Sequence, residues 1–437
     1  MHESPSTTSP SSTTSHLVRC IAALVAPLVC SCGGGGGGDA ASAPLAAVAA
    51  AASAPDISAN SPVTTPPTWQ KIAAEGESFA LEIATSVRYG TGTSWVSQMV
   101  VGNVTCSNTF FGVDPKYNVV KECDVMTGGT PASPPTVDAT KLAASNPGFS
   151  TARVMPANVA DPSQRPNASD LGAFREPCDF SHMSFDDPIV FPGQPGKSHL
   201  HTFFGNTGTN ASTTAASLAS SGNSTCAGGI LNRSAYWVPA VIDTRTGTPV
   251  KPSSSIFYYK TGYNGIAPSA IKPFPPGLRM VSGNPANTLP QGYAFNYGCI
   301  GPVNAYWADH TIPACAVGED MIMSVNFPQC WDGVNLDSPD HISHMSLTVN
   351  GACPASHPVP VPEISFVVHY TVKATDAPAQ WRLSSDNYDP TFPAGYSGHG
   401  DWFNGWDPAT MNTFVKNCEQ ASMDCHAYLL GDGTMLY

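Results

Sequence analysis

Charge is scarce in this chain. Of 437 residues only 12% are Asp, Glu, Lys or Arg, and 32 acidic residues outnumber 19 basic ones, for a net charge of −13. No basic stripe offsets that balance, which excludes a nucleic-acid binder. Long apolar runs are missing as well. The stretch Cys20–Cys30 is too short to span a bilayer. No His-Glu-x-x-His occurs, which disfavours the zinc peptidases. Without Gly-x-Ser-x-Gly a serine esterase is disfavoured too, although Ser198 and Ser343 each precede a histidine. No Cys-x-x-Cys pair is present, so a zinc knuckle or thioredoxin-type motif is disfavoured. What the chain does have is turn formers, 39 Gly and 41 Pro. That composition predicts short strands, long loops and few helices.

The N-terminus reads as an address. Arg19 precedes the apolar run, which ends Leu28-Val29-Cys30-Ser31-Cys32 and is followed by six glycines. This resembles a bacterial lipoprotein lipobox, with Cys32 as the lipidated residue and Val29 in the place of the usual Leu. The expectation is an exported chain, held as a cell-surface or outer-membrane lipoprotein by a lipid anchor at Cys32, or secreted after plain signal cleavage. Residues 33–67, rich in Gly, Ala, Ser, Thr and Pro, read as a disordered tether. The cysteines agree with export. Three of the 13 lie in the signal region 1–32, and an even set remains, which predicts five disulfides. Cys106–Cys123 and Cys418–Cys425 are the plausible local bridges. The other six cysteines cannot be paired from the sequence.

The chain then divides by composition. Residues 68–126 carry β-prone runs at Phe79–Ile83, Ser86–Tyr89 and Trp95–Val101, with Tyr89-Gly-Thr-Gly-Thr as a turn, and predict a small β-sandwich. Residues 127–150 read as a linker. Residues 151–437 form the main domain, with strands expected at Ile256–Lys260, Ala294–Tyr297, Met321–Phe327, Met345–Val349 and Ile364–Val372. The fold class expected is mainly β: a small N-terminal module plus a larger, loop-rich, disulfide-bonded sandwich or jelly roll with few helices. Pro408–Cys418 is the one convincing helix, capped by Asp407 with Pro408 in its first turn.

The chemistry-bearing residues gather in a few short motifs. His199-Leu200-His201 places two imidazoles on one side of an extended chain, with Leu200 turned the other way. Asp187 lies shortly before it. Far along the chain come Asp340-His341-Ile342-Ser343-His344 and then His399-Gly400-Asp401. Histidine is both the side chain that titrates near neutral pH and the commonest metal ligand. His199 and His201 with His341 or His344 would suit zinc or copper. The same groups can serve acid–base chemistry. Asp187, Asp332, Asp340 and Asp401 are available as carboxylates, and Lys197 or Arg233 as neutralisers of an acidic sugar. Each of these histidines, taken singly, is better explained by a hydrogen bond to a loop. The site expected is therefore the whole set: His199, His201, Asp340, His341 and His344, with His399, Asp401 and Asp187 closing it. Tyr236, Trp237, Trp331, Trp402 and Trp406 fall in or beside these motifs and suit stacking on sugar rings, Trp402 and Trp406 being the ones expected to be exposed.

Two resemblances follow from these residues. The order Asp187-Pro-Ile-Val, Ser198-His-Leu-His201, Ser224-Thr-Cys226, Ala235-Tyr-Trp237, Cys330-Trp-Asp-Gly333, Asp340-His341, Ser343-His344, Cys353-Pro354 and His399…Asp401 resembles the secreted "domain of unknown function nineteen-ninety-six" family over about 175–430. Fungal members often carry WSC sugar-binding modules. The resemblance implies an exported, disulfide-bonded domain and supplies no reaction. Residues 68–126, TWQKIAAEGESF…VRYGTGTSW…FFGVDP…KEC, resemble an accessory β-module of secreted bacterial polysaccharide-degrading enzymes. The His/Asp motifs and the aromatics carry the functional expectation: an exported carbohydrate-active protein that cleaves an extracellular polysaccharide as a hydrolase or lyase, with a divalent metal, zinc or copper, as cofactor. The alternatives are a non-catalytic glycan- or metal-binding surface protein and a copper- or iron-dependent oxidoreductase.

Overall fold

The computed structural model describes residues 68–437, except 93, 112–113, 128–136, 288–289, 304, 387 and 389–392. The signal segment with Cys32 and the tether 33–67 lie outside the described residues. The first unit is one antiparallel four-stranded sheet in the order Thr68–Ala74, Glu122–Thr127, Ser78–Thr91, Ser94–Thr105. The runs at Phe79–Ile83 and Ser86–Tyr89 are one long strand, irregular between Leu81 and Thr85. Val87, Tyr89, Val100, Val104 and Phe111 bury together around the Cys106–Cys123 disulfide.

The main domain is built on two stacked sheets. The larger has eight strands, in the order Ala305–Asp309, Phe295–Ile300, Asp320–Asn326, Glu363–Thr371, Ser254–Lys260, Ala173–Pro177, Met423–Ala427, Asn167–Ala168. The smaller has five, in the order Arg279–Gly283, His399–Phe403, Ala235–Pro239, His201–Gly205, Phe180–Ser184. Alternation decides what lies between them. From the small sheet Phe204, Tyr236, Met280 and Trp402 join the main core. From the large sheet Phe257, Tyr259, Val325 and Phe366 meet them. Tyr236 stacks on Phe257 with ring centroids 4.1 Å apart, and Phe257 meets Phe366 edge-on at 4.8 Å. Each such ring, wholly removed from water, contributes on the order of 2–3 kcal/mol.

Five disulfides are present among the described residues. Cys106–Cys123 and Cys418–Cys425 pair as expected, and Cys178–Cys226, Cys299–Cys315 and Cys330–Cys353 complete the set. The helix Pro408–Phe414 starts where expected. The Asp407 carboxylate accepts from the Thr410 N–H at 2.8 Å, and the helix runs on through a π-helical turn to Glu419. Of Met345–Val349 only Met345–Ser346 is strand. Within the stretch read as linker, Val137, Leu142 and Ala143 pack on Phe180, Met183, Leu200 and Ile242, so its few apolar side chains anchor its second half.

Candidate metal centre

The small sheet has a second face, turned away from the sandwich core. His201 and Phe203, Ala235 and Trp237, His399, Asp401 and Phe403 point that way, two residues apart on adjacent strands. In register, Phe203 lies opposite Trp237, and Trp237 opposite Asp401. An apolar patch of Ile189, Phe203, Trp237, Val281 and Phe403 occupies part of this face. His201, His399 and Asp401 occupy the rest.

A looped segment delivers the remaining groups. It is closed at its base by the Ser198 N–H donating to the Phe185 carbonyl at 3.1 Å. Inside it, the Asp186 carboxylate accepts from the Gly196 N–H at 3.0 Å and from the Ser184 hydroxyl at 2.8 Å. Asp187 Oδ1 accepts from the N–H groups of Ile189 and Val190 at 2.8 and 2.9 Å. The loop thus holds a carboxylate beside the sheet just before the chain enters it at His199. Leu200 is buried against Phe180 and Ile242, which leaves His199 and His201 on the other side.

Three imidazoles converge there. His199 Nε2 lies 3.1 Å from His399 Nε2, and His201 Nε2 lies 3.5 Å from it. The other nitrogens of two of these rings are fixed. His201 Nδ1 donates to the Asp186 carbonyl at 3.0 Å, and His399 Nδ1 donates to the Ser397 carbonyl at 2.8 Å. A neutral imidazole carries one N–H, so both Nε2 atoms are bare acceptors facing each other. A cation between them would relieve that opposition. Imidazole nitrogens about 2.0–2.1 Å from a tetrahedral metal lie about 3.3 Å apart, close to the spacing seen, and backbone carbonyls on the far nitrogens are the usual outer support of such ligands. Burial, followed by the neighbouring imidazoles, pushes His199 well below the ordinary histidine range and His201 down to about 3; burial alone pushes His399 down to about 4. All three are therefore neutral at neutral pH, and a metal would displace no proton. His199 is partly exposed while His201 and His399 are buried, so entry is past His199.

Two carboxylates adjoin the imidazoles. Ligand atoms of Asp187, His201 and Asp401 lie within 4.8 Å of one another, as do those of His199, His201 and His399. Asp401 is wholly buried and neither of its oxygens has a hydrogen-bond partner. Burial, then the nearby Asp187, pushes its carboxyl well above the usual range. Asp187 is also raised by burial, against the pull of the Val190 and Ile189 N–H groups.

The other expected site residues sit elsewhere or do other work. Both ring nitrogens of His344 are engaged, Nδ1 with Ser338 Oγ at 2.9 Å and Nε2 with the Arg279 carbonyl at 2.6 Å, so neither is left for a metal. His341 Nδ1 pairs with Asp337 at 2.9 Å, although the ring is close enough for its charge to act on Asp187. Asp340 stays outside the cluster. It caps its own turn by accepting from Ser338, Ile342 and Ser343, bonds that hold its carboxyl far below the usual range. Lys197 is exposed, and Arg233 donates to the carbonyls of Gly222 and Ala219.

The aromatic platform expected of Trp402 and Trp406 is corrected by burial. Trp402 is 0% exposed on the inner face of its strand. Trp406 is 4% exposed, packs on Phe174 and Phe414, and its indole N–H donates to Tyr259. Tyr236 and Trp237 are buried too, and the half-buried Trp331 donates its indole N–H to the Asn335 carbonyl at 2.6 Å. Strand alternation already turns Trp402 away from His399 and Asp401, since odd and even residues face opposite sides.

A groove of about 660 Å³ runs along the Arg279–Gly283 edge, lined by Val281, Gly283, Gln291, Tyr293, Ile342 and Leu347. Gly283 has φ +85°, and a Cβ there would meet His399 Cα at 2.8 Å, so the groove wall rests directly on a site histidine. With this geometry in hand, a family described as "Domain of unknown function (DUF1996)" matches residues 187–406, a span that opens at Asp187 and contains His199, His201, His399 and Asp401. No solved structure matches the chain.

Proposed function

The chain belongs to this DUF1996 family, and since that membership supplies no reaction, we propose from the site itself that it is an exported, metal-dependent enzyme cleaving an extracellular polysaccharide. His199, His201 and His399 hold a divalent zinc or copper ion. The observation that carries the reading is the convergence of their Nε2 atoms at 3.1 and 3.5 Å, with two of the rings locked from behind by carbonyls. Such an ion supplies Lewis-acid polarisation of a bound oxygen. The chain's own part is to hold the rings in one tautomer, keep them unprotonated and shield the inner two from water.

The carboxylates do not suit a two-acid glycosidase. Asp187 and Asp401 are both buried, whereas the paired carboxylates of a glycosidase flank the sugar bond. Polymer binding rests instead on the open groove beside His399. Export is supported by five disulfides in the described residues and by the leader-like N-terminus.

The burial of His201 and His399, with only His199 reaching the surface, favours one second reading, a metal-holding protein without turnover. Metal analysis of the full chain tests both. The equivalent of zinc or copper held by the imidazoles is expected to be lost in His399→Ala and in the double variant His199→Ala, His201→Ala, with the thermal transition retained. Metal-free protein after loading with either ion would overturn both readings. Loaded protein that releases no reducing ends or unsaturated sugars from any polysaccharide tested would leave the second.

A further inference from the structure

The imidazole cluster leaves Asp401 and Asp187 unexplained. Burying a carboxylate with nothing opposite is costly, and sequences retain such groups where a proton or a cation compensates them. Asp401 is 0% exposed, both of its oxygens lack partners, and its nearest charged neighbour is another carboxylate. Neither Asp187 nor Asp401 is ion-paired with a lysine or arginine among the described residues. The Trp237 indole N–H is a donor near Asp187 that acts on its carboxyl without reaching full hydrogen-bond geometry. Asp187 is committed on one side only, its Oδ1 taking two backbone N–H groups. That leaves an oxygen-lined place behind His201, with the ligand atoms of Asp187, His201 and Asp401 within 4.8 Å of one another.

We propose that this place binds a second divalent cation, so that the centre takes two metal ions, one on the three imidazoles and one on Asp187 and Asp401. The inference rests on the trihistidine reading and goes beyond it. The two pockets differ in chemistry. Three neutral nitrogens suit zinc or copper, while two carboxylates suit a harder ion such as manganese, magnesium or zinc. His201 belongs to both groups, so the ions would be neighbours, the arrangement in which paired metals grip two oxygens of one substrate. His341, held by Asp337 through its Nδ1, is close enough for its charge to act on Asp187.

Stoichiometry decides the matter. The full chain is stripped with a chelator, titrated with Zn²⁺ alone and with Zn²⁺ followed by Mn²⁺, and the bound metal is counted after gel filtration. Two equivalents are expected in the wild type. Asp401→Asn and Asp187→Asn should each fall to one equivalent, and His399→Ala should lose the other. One equivalent in the wild type, unchanged in Asp401→Asn, would overturn the second site and leave the trihistidine reading standing. No bound metal would overturn both. Two equivalents that persist in both Asn variants would place the second ion elsewhere and overturn the proposal as well. If one Asn variant fails to fold, the other decides, and a wild-type count of one is sufficient against the proposal by itself.

Discussion

Glu419 shows what a single buried charge does in this chain. It closes the π-helical turn, is wholly buried, and neither carboxylate oxygen has a partner. Burial pushes its carboxyl well above the usual range. The sign of the linkage follows: a raised folded-state value gives stability that is fully present below about pH 4.5 and is lost as pH rises through the folded value. Glu419→Gln should therefore raise the thermal stability at pH 8, on the order of 1–3 kcal/mol, and the gain should vanish below pH 4. Equal shifts at both pH values would refute the account. Gly283 is a second such position. Its φ of +85° and the 2.8 Å approach to His399 Cα leave no room for a methyl group. Gly283→Ala should move the His399 strand end and weaken metal binding about 10–100-fold, the range found when outer supports of a ligand are disturbed. Isothermal titration with Zn²⁺ reads it, and an unchanged affinity would show that the wall does not position the ring.

At the scale of elements, alternation along strands sorts function from packing. His399 and Asp401 face one side of their strand and Trp402 the other. Trp402→Phe should accordingly leave metal binding unchanged while lowering stability, whereas a role in ligand stacking would alter binding of any glycan the protein takes. The helix Pro408–Phe414 depends on its cap. Asp407→Ala removes the bonds to the Thr410 N–H and hydroxyl, both 2.8 Å, and should cost about 1 kcal/mol in chemical denaturation. A negligible change would mean that the packing of Met411 and Phe414 alone sets the helix.

At the scale of the whole molecule, two stacked sheets are crossed by loops that disulfides pin. In the chain-entropy picture a longer closed loop stabilises more. Cys178–Cys226 spans 48 residues and Cys418–Cys425 spans 7. Replacing the first pair by alanines should cost about 4 kcal/mol and the second about 2.5 kcal/mol in urea unfolding. The reverse order would point to native-state packing around the shorter bridge as the larger contribution.

Much of this was legible in the chain. Pro and Gly spacing gave the β class, cysteine parity gave five bridges, and Asp407-Pro408 marked the longest of the three α-helices among the described residues, whereas Ala215–Ser220, capped by Thr214, was missed. The spacing of His199 and His201 put them on one side of the backbone, because the period of an extended chain is local. The third imidazole was legible as part of the site but not as a ligand beside His199 and His201. His341 and His344 sit in a motif as rich as the one around His199, yet His344 spends both nitrogens on Ser338 and Arg279, while His399 crosses the sheet to complete the cluster. Nor could composition show that Trp402 and Trp406 are core. The sequence by itself determined which side chains share a face, since that depends on neighbours in the chain. Only the tertiary structure decided which faces meet, because the order Arg279–Gly283, His399–Phe403, Ala235–Pro239, His201–Gly205 joins strands up to 200 residues apart.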